Sequence, residues 1–206
     1  MLYLETIDAA TLELLKQLQA QPAFKNLRLV GGTALALQMG HRKSIDLDLF
    51  GKVDADEFEV LNQMNAIFPV TILKKSQNIN IFLINGIKVD IVNYPYPWLE
   101  QALFDMDIVL ANKKDIAAMK LSAITGRGTR KDFIDLFFLL KQFSLKQMID
   151  FYKQKYPDGA EFLVLKSLTY FDDAEQDELP VMLIQQDWEQ IKQYIKLVVA
   201  QYLQNL

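Results

Sequence analysis

Residues 45–50 read Ile-Asp-Leu-Asp-Leu-Phe, with apolar and acidic side chains in strict alternation up to Leu49. A period of two marks a strand with one buried face. The segment therefore predicts a strand with Ile45, Leu47 and Leu49 turned inward and Asp46 and Asp48 together on the other side. Residues two apart on a strand stand roughly 6.5 to 7 Å from each other, which lets two carboxylates converge on one or two cations. Upstream, residues 27–30 predict a short strand stopped by Gly31-Gly32, and residues 33–39 have the composition of a short helix. The start of such a helix offers free N–H groups and a positive dipole end that favour phosphate, and glycine lets a phosphate come close to the backbone. Thirteen residues separate that turn from Asp46.

Residues 54–68 predict a helix with Phe58, Leu61, Met64 and Ile67 or Phe68 on one side. Residues 80–84 and 87–92 predict two strands joined by Asn85-Gly86, the pair that best tolerates the positive φ angles of a two-residue hairpin. In the second strand Val89 and Ile91 take the core face and Asp90 the other, so Asp90 is a candidate third acid beside Asp46 and Asp48. Carboxylates without His or Cys are the hard ligands that magnesium prefers, and two such ions can activate an attacking oxygen and hold a leaving pyrophosphate. The competing account is plain: paired acids on a strand often form no more than the wet side of an antiparallel sheet. Residues 93–98 carry Pro95 and Pro97 and predict an irregular loop, whose Tyr94, Tyr96 and Trp98 serve either loop packing or stacking on a base.

At the N-terminus, residues 6–20 predict an amphipathic helix with Lys16, Gln17 and Gln19 outward. From Lys113 onward the pattern is helical, roughly 113–125, 130–142, 144–155, 160–171 and 187–204, interrupted at Gly126, Gly128, Pro157-Asp158-Gly159 and Pro180. The expected fold class is α/β in the α+β sense, with a small mixed-sheet core over 1–112 and a helical region over 113–206. A chain of 206 residues, 51% hydrophobic and 23% charged, supplies a sizeable core. No apolar run approaches the roughly 20 residues of a membrane span, and the N-terminus has no leader-like pattern. The absence of cysteine removes disulfides and thiolate sites, so the cytoplasm is the expected compartment. A net charge of −4 argues against non-specific coating of nucleic acid. Locally, Lys113, Lys114, Lys120, Arg127, Arg130 and Lys131 against Asp115 give a balance of +5, a candidate face for a polyanion. Five acids within residues 172–178 predict a solvated loop.

Val30-Gly31-Gly32, then Asp46-Leu47-Asp48-Leu49, then a lone Asp90 on a later strand resembles the polymerase-beta-type nucleotidyltransferase superfamily. More narrowly, Gly31-Gly32-Thr33-Ala34-Leu35 followed by His41-Arg42-Lys43-Ser44-Ile45-Asp46-Leu47-Asp48-Leu49-Phe50 resembles the AbiEii/AbiGii-type toxin nucleotidyltransferases. Asp115-Ile116-Ala117-Ala118-Met119-Lys120 and Arg130-Lys131-Asp132-Phe133-Ile134-Asp135-Leu136 agree with it, so the resemblance runs from about residue 29 to residue 140. It implies a magnesium-dependent transfer of a nucleotide from a nucleoside triphosphate to an acceptor hydroxyl. The implied acceptor is RNA of the tRNA kind, and the implied role is a toxin opposed by a separate antitoxin, with no membrane involved. Carried over by position, Gly31, Gly32 and Thr33 would cradle the triphosphate, and Arg42 and Ser44 would add to the same donor site. Asp46 and Asp48 would hold metal with Asp90, Lys120 would contact phosphate, and Asp132 or Asp135 would complete the last motif.

Several of these residues have a second account. Arg42 suits a two-point grip on phosphate, or a salt bridge to Asp46 or Asp48. Lys120 lies at the edge of an apolar stripe, where a lysine often only snorkels. Asp132 and Asp135, three apart, share a helix face, and Asp135 sits among apolar neighbours where a buried ion pair with Arg130 or Arg127 competes with catalysis. His41 reads as a surface or capping residue. Two other function classes fit the same acids: a small-molecule nucleotidyltransferase of the aminoglycoside-modifying kind, and a catalytically silent binding or antitoxin-like module.

Overall fold

The Asn85-Gly86 pair takes positive φ at both residues, 51° and 83°, and turns β4 (Ile79–Ile84) back on β5 (Ile87–Asn93). This hairpin belongs to a seven-stranded mixed sheet in a computed structural model that describes residues 1–53 and 56–205. The other strands are β1 (Arg28–Val30), β2 (Leu47–Gly51), β3 (Val70–Lys74), β6 (Leu103–Asp105) and β7 (Ile108–Leu110), and the order across the sheet is β3-β4-β5-β2-β1-β7-β6. The fold is α/β with a mixed sheet. β2 runs parallel to β5 and antiparallel to β1, so the parallel β2/β5 pair lies at the middle of the sheet.

Three short strands escape the sequence patterns. β3, all but one of whose residues are exposed, lacks the alternation that reveals a half-buried strand. β6 and β7 are three residues each and turn at Met106-Asp107, both with positive φ (53° and 63°), a turn without the usual Asn-Gly or Asp-Gly signal. β2 begins at Leu47, so Ile45 precedes the strand and is 53% exposed instead of taking the core face.

The chain divides into two compact units. The first comprises Met1–Gln38, Ser44–Pro95 and Ala102–Ala111 and holds the whole sheet with α1 (Ala9–Gln19), α3 (Glu57–Ile67) and nearly all of α2 (Gly31–Met39). Its core is the inward set of the central strands, Leu29, Leu47, Leu49, Phe82, Ile84, Val89 and Ile91, with Leu14, Leu15 and Leu18 of α1. Gln19 is buried with them. Its amide donates to the Leu27 and Val109 carbonyls and accepts from the Val109 N–H, which ties α1 to β7 and offsets the cost of burying a polar group. α3 buries Val60 and Met64 and leaves Phe58 63% exposed beneath the Lys75 ammonium, so its inner face is rotated from the predicted one. Residues 54 and 55, part of the predicted helix, lie outside the described residues.

The second unit comprises Met39–Lys43, Tyr96–Gln101 and Asn112–Leu206. It contains α4 (Lys113–Gly126), α5 (Arg130–Leu139), α6 (Leu145–Lys155), α7 (Glu161–Ser167) and α8 (Trp188–Gln204), with α4 packed against α5, α6 and α7. Three of its helices start on polar caps that accept a free N–H: Asn112 from Lys114, Ser144 from Gln147 and Asp187 from Gln190. The acidic run at 172–178 is not a free loop. Ala174 is buried in a short 3-10 turn, Asp177 accepts the Arg130 N–H, and Glu175 binds Lys192 and the Trp188 indole N–H.

Candidate active site

Asp48 and Asp90 are register partners on the parallel strands β2 and β5, so their side chains leave the same face of the sheet, one strand spacing or about 4.8 Å apart at the backbone. Alternation buries Leu47, Leu49, Val89 and Ile91 on the other face and leaves Asp48 and Asp90 partly accessible. The Asp48 carboxylate lies against the glycine turn. A Cβ placed on Gly31, whose φ is +67°, would stand 2.2 Å from Asp48 Oδ2. Glycine at 31 therefore serves both the left-handed backbone and the room that the acid occupies.

Asp46 precedes β2, and its backbone is held by the hydroxyl of Thr33, which donates to the Asp46 carbonyl and lies 2.9 Å from the Ser44 hydroxyl. Thr33 is 1% exposed. Its hydroxyl is thus committed to fixing the chain before Asp46, while Gly31 and Gly32 remain partly accessible. Asp90 accepts from Lys88 Nζ at 2.5 Å, two residues back on the same strand face. Among the described residues no three acidic or histidine side chains form a ready-made metal cage. Magnesium does not require one, since it keeps several waters and commonly takes one or two carboxylates together with substrate phosphates.

The other candidate acids sit in the second unit. Asp135 is fully buried and accepts Arg42 Nε at 2.7 Å and Nη2 at 2.8 Å, His41 Nε2 at 2.8 Å, and Lys120 Nζ at 2.6 Å. Lys120 Nζ also donates to Asp132 at 2.8 Å, and Thr129 caps α5 through the second oxygen of Asp132. Two cations, two carboxylates and a histidine donor make a charge-balanced set. Burial works against the charge of Asp135, yet Arg42 and Lys120 beside it, with the hydrogen bonds from Arg42 and His41, hold its carboxyl well below the usual range. Burial likewise opposes the charge of Lys120, and the Asp135 and Asp132 carboxylates outweigh it and raise the ammonium's pKa.

This network corrects several expectations. Arg42, 2% exposed, forks onto Asp135 and does not present a free guanidinium to phosphate. Lys120 is 6% exposed, with its ammonium between two carboxylates. The partner of Asp135 is Arg42, 93 residues away, while Arg127 lies 3.6 Å from Asp132 and Arg130 binds the Ala174 and Glu175 carbonyls. His41 is a buried core residue whose Nδ1 has no partner. Facing a carboxylate, Nε2 is the ring nitrogen placed to donate.

The basic stretch at 113–131 is largely consumed. Lys120 is buried, Lys114 pairs with Glu100, and Arg130 is held by the acidic turn. Asp115, its one acid, is buried against Lys155 Nζ at 2.7 Å and caps the Leu99 and Glu100 N–H groups, a pairing that nothing in the spacing announces. Of the aromatic cluster, Tyr94 packs on Phe50, Tyr96 on Tyr156, and Trp98 lies under the Lys155 ammonium.

A strand, a glycine turn and a helix, followed by an antiparallel strand whose acid lies on that turn beside a second acid in register, define the class as a nucleotidyltransferase domain. Residues 13–201 match the family described as "Nucleotidyl transferase AbiEii toxin, Type IV TA system", and the chain belongs to that family of nucleotidyltransferases. An uncharacterized protein of Aquifex aeolicus (strain VF5) is 38% identical over 183 residues, 86% of this chain and 88% of the relative. Among solved structures, JHP933 from Helicobacter pylori superposes with a TM-score of 0.60 at 16% identity, covering 94% of this chain and 92% of that one. MenT4, a nucleotidyltransferase toxin from Mycobacterium tuberculosis H37Rv, gives 0.58 at 16% identity, covering 92% and 80%.

Proposed function

We propose that the chain transfers a nucleotide from a nucleoside triphosphate to a hydroxyl of an RNA acceptor of the tRNA kind, with magnesium held by Asp48 and Asp90 and completed by Asp46. The observation that carries this reading is the placement of two register-paired carboxylates on an accessible sheet face, one of them packed on Gly31. Hard oxygen donors and a glycine turn at a helix start are the chemistry that a metal-bound triphosphate needs. Magnesium, when bound, would neutralise charge that develops on the phosphates. Gly31 and Gly32 let the triphosphate approach the backbone, and the Thr33 hydroxyl keeps the Asp46 segment in place through its carbonyl. The Lys120, Asp132, Asp135 and Arg42 set acts in this reading as a brace within the helical unit. No helix among the described residues is long and apolar enough to cross a membrane, and a cytoplasmic toxin restrained by a separate antitoxin fits the family's type.

Incubating the protein with each labelled triphosphate, magnesium and total RNA tests the proposal. Label is expected on RNA with wild type and not with Asp48→Asn, which keeps the side-chain shape and loses the charge. Label on RNA from Asp48→Asn at the wild-type rate would move the site elsewhere, and label on a small aminoglycoside-type acceptor in place of RNA would replace the acceptor.

A further inference from the structure

The interstrand register sets Asp90 of β5 between Ile81 of β4 and Asp48 of β2, and sets Lys88 beside Leu83 of β4. Continued one residue back from Leu47 and Val89, it brings Lys88 level with Asp46. The strand on one side of Asp90 is thus apolar here and the strand on the other is acidic, and neither offers it a cation at these positions. Its cation comes from β5 itself, where Lys88 Nζ donates to Asp90 Oδ1 at 2.5 Å. The Lys88 side chain is 40% exposed and that of Asp90 17%, so the lysine is the outer partner of the pair. β1 ends at Val30 opposite Asp48, so the glycine turn that follows lies toward the Asp46 end of β2, the end at which Lys88 stands. Two strand spacings, roughly 10 Å, separate that turn from Lys88 at the backbone, a gap that a phosphate and a lysine side chain span together. Arg42 and Lys120, the two cations expected at the phosphates, are both buried in ion pairs with Asp135 and Asp132.

We propose that Lys88 is a further donor-site residue with two partners: Asp90 in the empty site, and a phosphate of the triphosphate once magnesium has taken Asp90. This rests on the magnesium-triphosphate reading of the function above. Before the metal binds, Asp46, Asp48 and Asp90 stand on neighbouring stretches of chain, and the ammonium offsets their repulsion. It also takes up lone-pair capacity on Asp90 Oδ1 and offsets the charge that attracts the metal, so magnesium arriving alone must displace it. A half-exposed pair yields to a doubly charged ion. The displaced ammonium then has the triphosphate within reach, and a phosphate oxygen replaces the carboxylate as its partner. Lys88 therefore opposes magnesium alone and favours magnesium with triphosphate, which makes the two bind cooperatively.

Calorimetry on wild type, Lys88→Met and Lys88→Arg tests the proposal, first with magnesium chloride alone and then with each of the four ribonucleoside triphosphates at saturating magnesium. No acceptor is present, so binding is read without turnover, and a melt of each variant checks its fold. Lys88→Met keeps the stem and removes the charge. It is expected to bind magnesium alone about two- to fivefold more tightly, the factor that a half-exposed ion pair is worth. It is also expected to bind the triphosphate that wild type prefers several-fold more weakly. Lys88→Arg keeps the charge and is expected to bring both affinities back toward wild type. Opposite signs are the signature. A surface pair with no part in the site moves neither affinity, a lysine that only orients Asp90 weakens both, and a lysine that only competes with the metal tightens both. Any of these three results would overturn the proposal while the functional reading stands. A wild type that binds neither magnesium nor any triphosphate would overturn the functional reading and this inference with it.

Discussion

Asp48 and Asp90 share an accessible sheet face with their backs to the core, whereas Asp132 and Asp135 stand on a buried helix surrounded by cations. All four are acids in strongly apolar segments. The difference lies in what is left over once the neighbours are counted. Asp135 accepts four donors and has no capacity to spare, and its role is to neutralise Arg42 and Lys120 where water cannot. Asp48 spends its position on a glycine and faces outward. Asp135 is a buried acid whose donors are all within the fold; Asp48 is a partly accessible acid packed on a glycine turn.

Breaking one side of this comparison should not break the other. Asp48→Asn is expected to reduce transfer to background, the largest effect, with a thermal midpoint close to wild type, because a partly exposed position away from the core costs within about 0.5 kcal/mol. Denaturant melts and labelled transfer on one preparation check both halves, and an unfolded Asp48→Asn would mean that the acid is structural. Asp135→Ala should do the reverse in kind. It leaves Arg42 and Lys120 buried with an uncompensated charge, which costs about 3 to 5 kcal/mol and shows as a large drop in the urea midpoint.

Gly31→Ala probes the contact between backbone and site. A left-handed residue with a Cβ costs about 1 to 2 kcal/mol, and the Asp48 carboxylate must swing from its place, so transfer should fall more than stability does. The pH response then separates the regions. Asp135 and Asp132 have depressed folded pKa values against an ordinary 3.8, so their contribution is present above about pH 4 and lost as pH falls through the depressed values. Lys120 is raised above 10.5, so its contribution is present below that pH and lost as pH rises through the raised value. Melts of wild type should hold a plateau between those limits, and Asp135→Ala should flatten the acid limb. The smallest effect belongs to Lys88→Ala, which removes a half-exposed pair with Asp90 worth about 0 to 1 kcal/mol. Its melt should barely move, while magnesium-dependent nucleotide binding should change because Asp90 loses its ammonium neighbour.

Local chemistry made part of this molecule legible in advance. Asn85-Gly86 requires positive φ and delivers a hairpin, Val89 and Ile91 flank Asp90 with period two, and Gly31-Gly32 ends a strand and opens a helix. Each of these is settled within a few residues, by sterics and alternation that no distant partner can reverse. What the sequence by itself could not settle was pairing. That Asp48 and Asp90 become neighbours depends on β2 lying parallel to β5 across some forty intervening residues. That Asp135 meets Arg42 and Asp115 meets Lys155 depends on helix packing that brings together groups 93 and 40 residues apart. Charge in a sequence has no fixed partner, and only the tertiary structure, by excluding water from some groups and not from others, decided which acids are buried in ion pairs and which stay on an accessible sheet face.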